Sequence, residues 1–308
     1  MQDRTGKARD VNEHPFSRPG RFYKGNLHTH STNSDGAHPP EAVAAFYRQA
    51  GYDFLALSDH FMEAYDWPVS DTRPFRTADF TTLIAAELHA PRTALGELWH
   101  IMAVGLPFDF APPDRDESGP ELAARAADAG AFIGIVHPSW YGLTAEDAAS
   151  IGCAHAVEIY NHGSQVEVDR GNDWPFCDGL LNQGWRLSAY ATDDAHQLTH
   201  DCLGGWVQVK AASLEPELLL QALKDGQYYS SQGPELHDLE IDGDRVRIAC
   251  SPAETIAISG RGSKAASIRG DELTEAEFPL RRFQGSYFRI TVTDAAGRRA
   301  WSNPTWLD

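Results

Sequence analysis

Along its first two thirds the chain alternates short apolar runs with stretches of helical period. Val43, Phe46, Tyr47 and Ala50 fall at i, i+3, i+4 and i+7 behind Pro39 and Pro40, and Gly51 follows, which predicts one amphipathic helix with a glycine stop. Phe54 to Leu57 is a four-residue apolar run ended by Ser58, Asp59 and His60. The rhythm then repeats. Phe80 to Ala86 leads into Glu87, and His100 opens the run IMAVGL. Glu121 to Ala129 reads as a helix closed by Gly130, and Ala131 to Val136 as a strand ending at His137. Ala156 to Tyr160 ends at Asn161, Arg186 to Ala191 ends at Asp193 and Asp194, Trp206 to Val209 is a further strand, and Leu214 to Lys224 a helix. Continuous apolar strands alternating with helices predict a parallel sheet covered on both faces. Polar residues recurring at strand ends favour closure into a barrel of about seven or eight strands, whose working rim lies there.

Near Gln227 to Gly233 the period changes from helical to two. Leu239 and Ile241, Val246, Ile248 and Cys250, Ile256 and Ile258, and Phe288, Ile290 and Val292 alternate with polar neighbours, with turns expected at Asp242-Gly243 and near Ala296-Gly297. This predicts a small antiparallel β domain over 233–308, behind an α/β unit over 21–232. Residues 1–20, charged throughout, read as a flexible lead-in with no signal-peptide pattern.

Composition narrows the partners. A formal net charge of −18 argues against general attraction to a nucleic-acid polymer, while leaving room for a small anion held by cations. No run approaches the ~18 apolar residues of a membrane span. The four cysteines stand singly, without a C-x-x-C pair, as expected of free thiols in a reducing cytoplasm. No nucleotide-binding glycine loop and no G-x-S-x-G elbow is present.

The chemistry gathers at the predicted rim. In KGNLHTHSTNSDG, His28 and His30 lie two apart in an extended segment and point to one side, so both imidazoles can reach one cation. Turn formers follow and present Asp35 from a loop. His60, Glu87, His100, His137, Asp194 and His196 occupy other strand ends or starts. Imidazole and carboxylate donors suit Zn, Mn or Fe.

The ordered set GNLHTHSTNSDG, ALSDH, the Glu87 to His100 spacing, IVHP, EIYN and ATDDAH resembles the motifs of the PHP (polymerase and histidinol phosphatase) family, metal-dependent phosphoesterases with a distorted (β/α)7 barrel. The resemblance covers about 21–232, and the segment ending AWSNPTW resembles a β domain appended to some bacterial members. It implies two or three divalent ions. His28, His30, Glu87 and Asp194 would hold the first; Glu87 would bridge to a second completed by His100 and His137; Asp35, His60 and His196 would hold a third. A hydroxide shared between two cations would attack a phosphate mono- or diester of a small molecule. The same site could instead cleave carboxylic esters or amides, or serve a catalytically silent, metal-stabilised binding module.

Four further residues are candidates for catalysis. Asp193 is either a partner of a ligand histidine or a proton donor. Glu158, in EIYN with Asn161, can orient water or substrate. His162, with His200 as an alternative, is a candidate general acid. Arg170 is the leading phosphate-binding cation, ahead of Lys24, Arg73, Arg76 and Arg186. Oligomeric state is not legible.

Overall fold

The computed structural model describes residues 14–307. In order, its strands and helices are β1 (Arg21–Asn26), α1 (Pro40–Gln49), β2 (Phe54–Leu57), β3 (His60–Phe61), β4 (Thr81–Ala90), β5 (Trp99–Val104), α2 (Gly119–Asp128), β6 (Phe132–Ile135), α3 (Pro138–Tyr141), α4 (Ala145–Ser150), β7 (Ala156–Asn161), α5 (His162–Val168), α6 (Trp174–Asn182), β8 (Ser188–Thr192), β9 (Trp206–Ala211), α7 (Pro216–Lys224) and β10 (Tyr228–Ser231). Then come β11 (Leu236–Asp242), β12 (Arg245–Gly260), β13 (Ala265–Pro279), β14 (Ser286–Thr293), β15 (Arg299–Ser302) and β16 (Thr305–Leu307). Among these residues no helix is long and apolar enough to cross a membrane.

All sixteen strands join one mixed sheet, ordered β11-β12-β14-β15-β10-β9-β1-β2-β4-β5-β6-β7-β8. The continuous apolar strands explain why it is covered on both sides: Phe54 and Ala56 of β2 pack inward with Leu27, Met102 and Phe132, while Leu55 and Leu57 face Val43 and Tyr47 of α1. The far end of the sheet curls back to its start. Thr29 and Ala195 form a parallel bridge, with His30 N–H donating to Ala195 O at 2.9 Å and Asp194 N–H to His28 O at 2.9 Å. Ser230 Oγ ties β8 to β10 by accepting from Ala191 N–H at 3.1 Å and donating to Ala189 O at 3.2 Å.

The observed sheet is less regular than the expected barrel. β1, β2 and β4 run parallel, as do β6, β7 and β8, but β5 is antiparallel to both of its neighbours and β9 is antiparallel to β1. No helix separates β4 from β5. This reversal has a chemical result: the first residues of β5 reach the rim where β4 and β6 present their last ones, and His100 stands opposite His89 in register.

The expected hairpins are present at Asp242-Gly243, between β11 and β12, and at Ala296-Gly297, between β14 and β15. β12 is a single long strand in place of two short ones, and β13, over residues that showed no alternation, pairs along it with shifts of register. The C-terminal strands enclose their own apolar cluster, including Val246, Ile256, Ile258, Phe288 and Ile290. They join the rest through β15, paired to β10, and through Arg289, whose guanidinium donates to both Asp178 oxygens (3.1 and 2.7 Å) and lies 3.8 Å from the Trp174 ring of α6. Of the 1–20 segment, residues 1–13 lie outside the described ones; Pro15–Ser17 forms a short 3-10 turn whose Phe16 packs on Phe22 and Tyr229.

Candidate metal centre

At the curled rim the structure gathers His28, His30, His60, His100 and His137 around the Glu87 carboxylate, with Asp194 against His28 and His30, and Asp35 and His196 beside His30 and His60. Local structure explains each placement. His28 and His30 follow β1 on the segment bridged to Ala195. The turn after them is tied down by Asp59, whose carboxylate accepts from Ser31 N–H at 2.7 Å and from the hydroxyls of Ser31, Ser34 and Ser70. Gly36 closes that turn where a Cβ would lie 2.6 Å from His30 carbonyl atoms, so only glycine fits beside the ligand strand. His60 pairs in register with Glu87 across β3 and β4. His137 (φ 24°) and Asp194 (φ 54°) both hold left-handed backbone that non-glycine residues rarely adopt. Each is held there by a main-chain hydrogen bond: His137 N–H donates to Glu158 Oε2 at 2.7 Å, and Asp194 N–H to His28 O at 2.9 Å.

The spacings decide what this cluster is for. An imidazole and a carboxylate that hydrogen-bond stand about 2.7–3.2 Å apart, whereas two donors of one tetrahedral ion with bonds of about 2.1 Å stand about 3.4 Å apart. His28 Nε2 and His30 Nε2 lie 3.5 and 3.6 Å from Glu87 Oε2, and His60 Nε2 and His196 Nε2 lie 3.4 and 3.5 Å from the Asp35 oxygens. The buried atoms His28 Nε2, His30 Nδ1 and Glu87 Oε2 have no hydrogen-bond partner. Such atoms cost free energy unless something between them is bound, and a divalent cation fits that description. On the other side of Glu87 the contacts are shorter: Oε1 lies 2.7 Å from His100 Nδ1 and 3.2 Å from His137 Nε2. Glu87 therefore presents one oxygen to each side: Oε1 hydrogen-bonds with His100 and His137, and Oε2 faces His28 and His30. His30 and Glu87 each belong to more than one donor group within ligand reach.

Protonation follows from the crowding. Burial opposes charge on His28, yet Asp194, Glu158 and Glu87 hold its pKa well above the ordinary value. Burial also opposes charge on His60, but Glu87 and Asp35 carry it up to about 10. His30, buried and flanked by His60 and His196, falls to about 4. Burial would raise Glu87, and the surrounding His60, His100 and His28 hold it well below the usual carboxylate range. A cation entering this cluster displaces protons from His28 and His60.

Three candidates named for catalysis stand outside the nine-residue donor cluster. Glu158 is not at an open rim: fully buried behind His28, it lies 3.0 Å from His28 Nδ1 and accepts from His137 N–H, Asn161 Nδ2 (3.0 Å) and the Thr192 hydroxyl. It thereby keeps a proton on His28 Nδ1, so that Nε2 is the nitrogen that gives up its proton when a cation binds. Asn161 also donates to Asp194 Oδ2 at 3.0 Å, aiming that carboxylate at the two histidines. Asp193 faces away from the cluster, its oxygens taken by Tyr47 Oη (2.8 Å) and the N–H groups of Leu203, Gly204 and Gly205; burial raises its pKa to about 6. His162 meets Tyr160 Oη at 3.1 Å and packs against Gly204, and His200 meets Glu167 on the surface.

Among the cations, Lys24 lies over the Tyr52 and Trp206 rings (4.1 and 3.9 Å), Arg73 pairs with Asp71, Arg76 donates to Thr82, and Arg186 lies over Trp306. Arg170 is the one at the mouth: exposed, it donates through Nη1 to Trp140 O at 3.1 Å, and the Trp140 ring touches His100 and His137.

Sequence reasoning missed His89. It lies two residues after Glu87 on the same strand face, is buried, and sits with Nε2 2.8 Å from His60 Nδ1. Glu87 Oε2 is equally close to His60 Nδ1, at 2.8 Å, but lies off the N–H direction and stays unpartnered. His89 thus occupies the His60 Nδ1 position and leaves Glu87 Oε2 available. The Glu-x-His pattern inside an apolar strand was the available signal.

No protein-family model matches the chain, and no curated protein does. Among solved structures, its fold is similar to that of a two-domain protein from Bacteroides vulgatus containing a predicted PHP-like metal-dependent phosphoesterase, with TM-score 0.54 and 15% identity over 90% of this chain and 93% of that one. Two others overlap less: a candidate metal-dependent phosphoesterase from Bifidobacterium adolescentis (TM-score 0.40, 13% identity, 56% of this chain and 87% of that one) and a sulfate-bound, metal-free amidohydrolase from Chromobacterium violaceum (0.45, 14%, 58% and 89%). The chain shares the fold of the first over 90% of its length.

Proposed function

We propose that this chain is a PHP-type, metal-dependent phosphoesterase acting on a small-molecule phosphate mono- or diester, with residues 21–232 forming an irregular (β/α)7 barrel and 233–308 an appended β domain. The Thr29 to Ala195 bridge supports the barrel reading. The observation that supports the function is the set of 3.4–3.6 Å imidazole-to-carboxylate spacings around Glu87 and Asp35, longer than ordinary hydrogen bonds and close to the donor separation around a shared ion, with His28 Nε2, His30 Nδ1 and Glu87 Oε2 left without hydrogen-bond partners. Divalent cations bound there supply Lewis acidity and neutralise charge developing on a phosphoryl group.

The chain's own residues do the rest. Glu87 splits its oxygens between the two sides of the site. Glu158 and Asn161 fix His28 and Asp194, so that little reorganisation is needed when a charged substrate arrives. Arg170, which donates to the Trp140 carbonyl outside the cage, would supply donors to non-bridging phosphate oxygens. The PHP-like name of the Bacteroides vulgatus protein favours phosphorus over carbon as the centre attacked.

The test is hydrolysis by metal-stripped protein reloaded with Zn, Mn or Fe, over phosphomonoesters, phosphodiesters, carboxylic esters and amides. Metal-dependent phosphate release supports the reading. Turnover confined to carboxylic esters or amides would transfer the site to that chemistry, and full turnover without metal would overturn both.

A further inference from the structure

Above the buried cluster the rim is apolar on one side. Trp140 is 42% exposed, yet its ring centroid lies 5.6 Å from that of His100 and 5.2 Å from that of His137, crossing both at steep angles of 65° and 67°. It belongs to α3, which starts directly after His137 and ends at Gly142 in left-handed conformation. Leu95, 65% exposed on the loop between β4 and β5, lies over that end: a Cβ on Gly142 would be 3.0 Å from its Cδ1. Arg170 donates to the Trp140 main-chain carbonyl at 3.1 Å, which ties its side chain to α3. An indole left in water against two ligand imidazoles exposes a flat surface that a flat ligand would cover.

We propose that Trp140, with Leu95 beside it, is the subsite for an aromatic group esterified to the phosphate, while Arg170 holds the phosphate oxygens. The proposal rests on the phosphoesterase reading and names the substrate class that reading leaves open: phosphate esters of aromatic alcohols or of alcohols carrying a planar ring. Charge and shape agree with this. The anion lies toward Arg170 and the metal side, and the ring lies over the indole, where offset or edge-on contact and apolar burial add affinity.

The experiment is calorimetric binding of phenylphosphonate and methylphosphonate to the metal-loaded protein. Wild type is expected to bind phenylphosphonate about tenfold more tightly than methylphosphonate, a preference lost in Trp140→Ala and kept in Trp140→Phe. Arg170→Met weakens both ligands by a similar factor and leaves their ratio unchanged, since it removes only the anion contact. If Trp140→Ala loses metal or folds poorly, Leu95→Ser, away from the donors, is expected to reduce the preference by about half. Equal binding of the two phosphonates by wild type, or a preference that survives Trp140→Ala in metal-loaded protein, overturns the proposal. Turnover of phenyl phosphate and of its methyl diester measured alongside separates the two readings: a phenyl preference without hydrolysis of either ester counts against the phosphoesterase reading and leaves the aromatic subsite standing.

Discussion

The strands around Glu87 and the strands around Ile258 belong to one continuous sheet, yet they bury opposite kinds of side chain. In β12 and β14 the inward positions are Val246, Ile256, Ile258, Phe288, Ile290 and Val292, which need nothing but each other. At the rim the inward positions are Glu87, His89, His100 and their partners, mostly shielded from water yet polar or charged. Burying a charge is costly unless it is paired. The first region is stable by apolar burial alone; the second is built at a cost that a bound cation offsets. Stability and function are therefore carried by different parts of the same sheet, and each part can be broken separately.

The largest expected effect is on the polar side. Glu87→Gln keeps the shape and removes the one charge shared by both sides of the site, so turnover falls at least about 10³-fold and bound metal falls with it. Metal analysis beside kinetics checks this; full metal content with normal turnover would show that Glu87 is not the bridge. On the apolar side, Phe288→Ala, at a fully buried position, costs about 3–5 kcal/mol of unfolding free energy with activity per folded molecule unchanged. Denaturant titration and active-site counting measure the two halves of that statement. Smaller effects come from residues that orient the donors: Glu158→Gln and His89→Leu each weaken metal affinity about 10–100-fold, read by chelator competition.

The smallest effect depends on pH. Asp173 accepts from Ser139, two residues after His137; its Oδ2 is buried without a partner, and burial raises its pKa to about 6. A carboxyl whose folded pKa is raised contributes its stability fully below its unfolded pKa and loses it as pH rises through about 6. Asp173→Asn is therefore expected to match wild type near pH 4 and to exceed it by roughly 2–3 kcal/mol or less at pH 8. Equal stability of the two proteins at both pH values would contradict this.

What was legible in the sequence divides along the same line. The candidate donors, α1 and most strand-end positions could be read because they depend on local period and turn chemistry: His28 and His30 two apart, then turn formers, then Asp35; Glu87 instead lies inside β4, which runs on to Ala90. The direction of β5 could not, since an apolar run looks alike in either orientation, and only pairing with β4 and β6 sets it. Glu158 looked like a rim residue because it precedes Asn161, but the alternation of β7 turns it inward behind His28. β13 was invisible for a third reason: it is an exposed edge strand with little alternation, and its shape comes from pairing with β12.

The most direct test is calorimetric titration of metal-stripped protein with Zn or Mn near pH 7, in buffers of different ionisation enthalpy. The account predicts saturable binding of two or more equivalents, with protons released from His28 and His60, and loss of that binding in Glu87→Gln. Absence of saturable binding, or binding without proton release that is unchanged in Glu87→Gln, would contradict it.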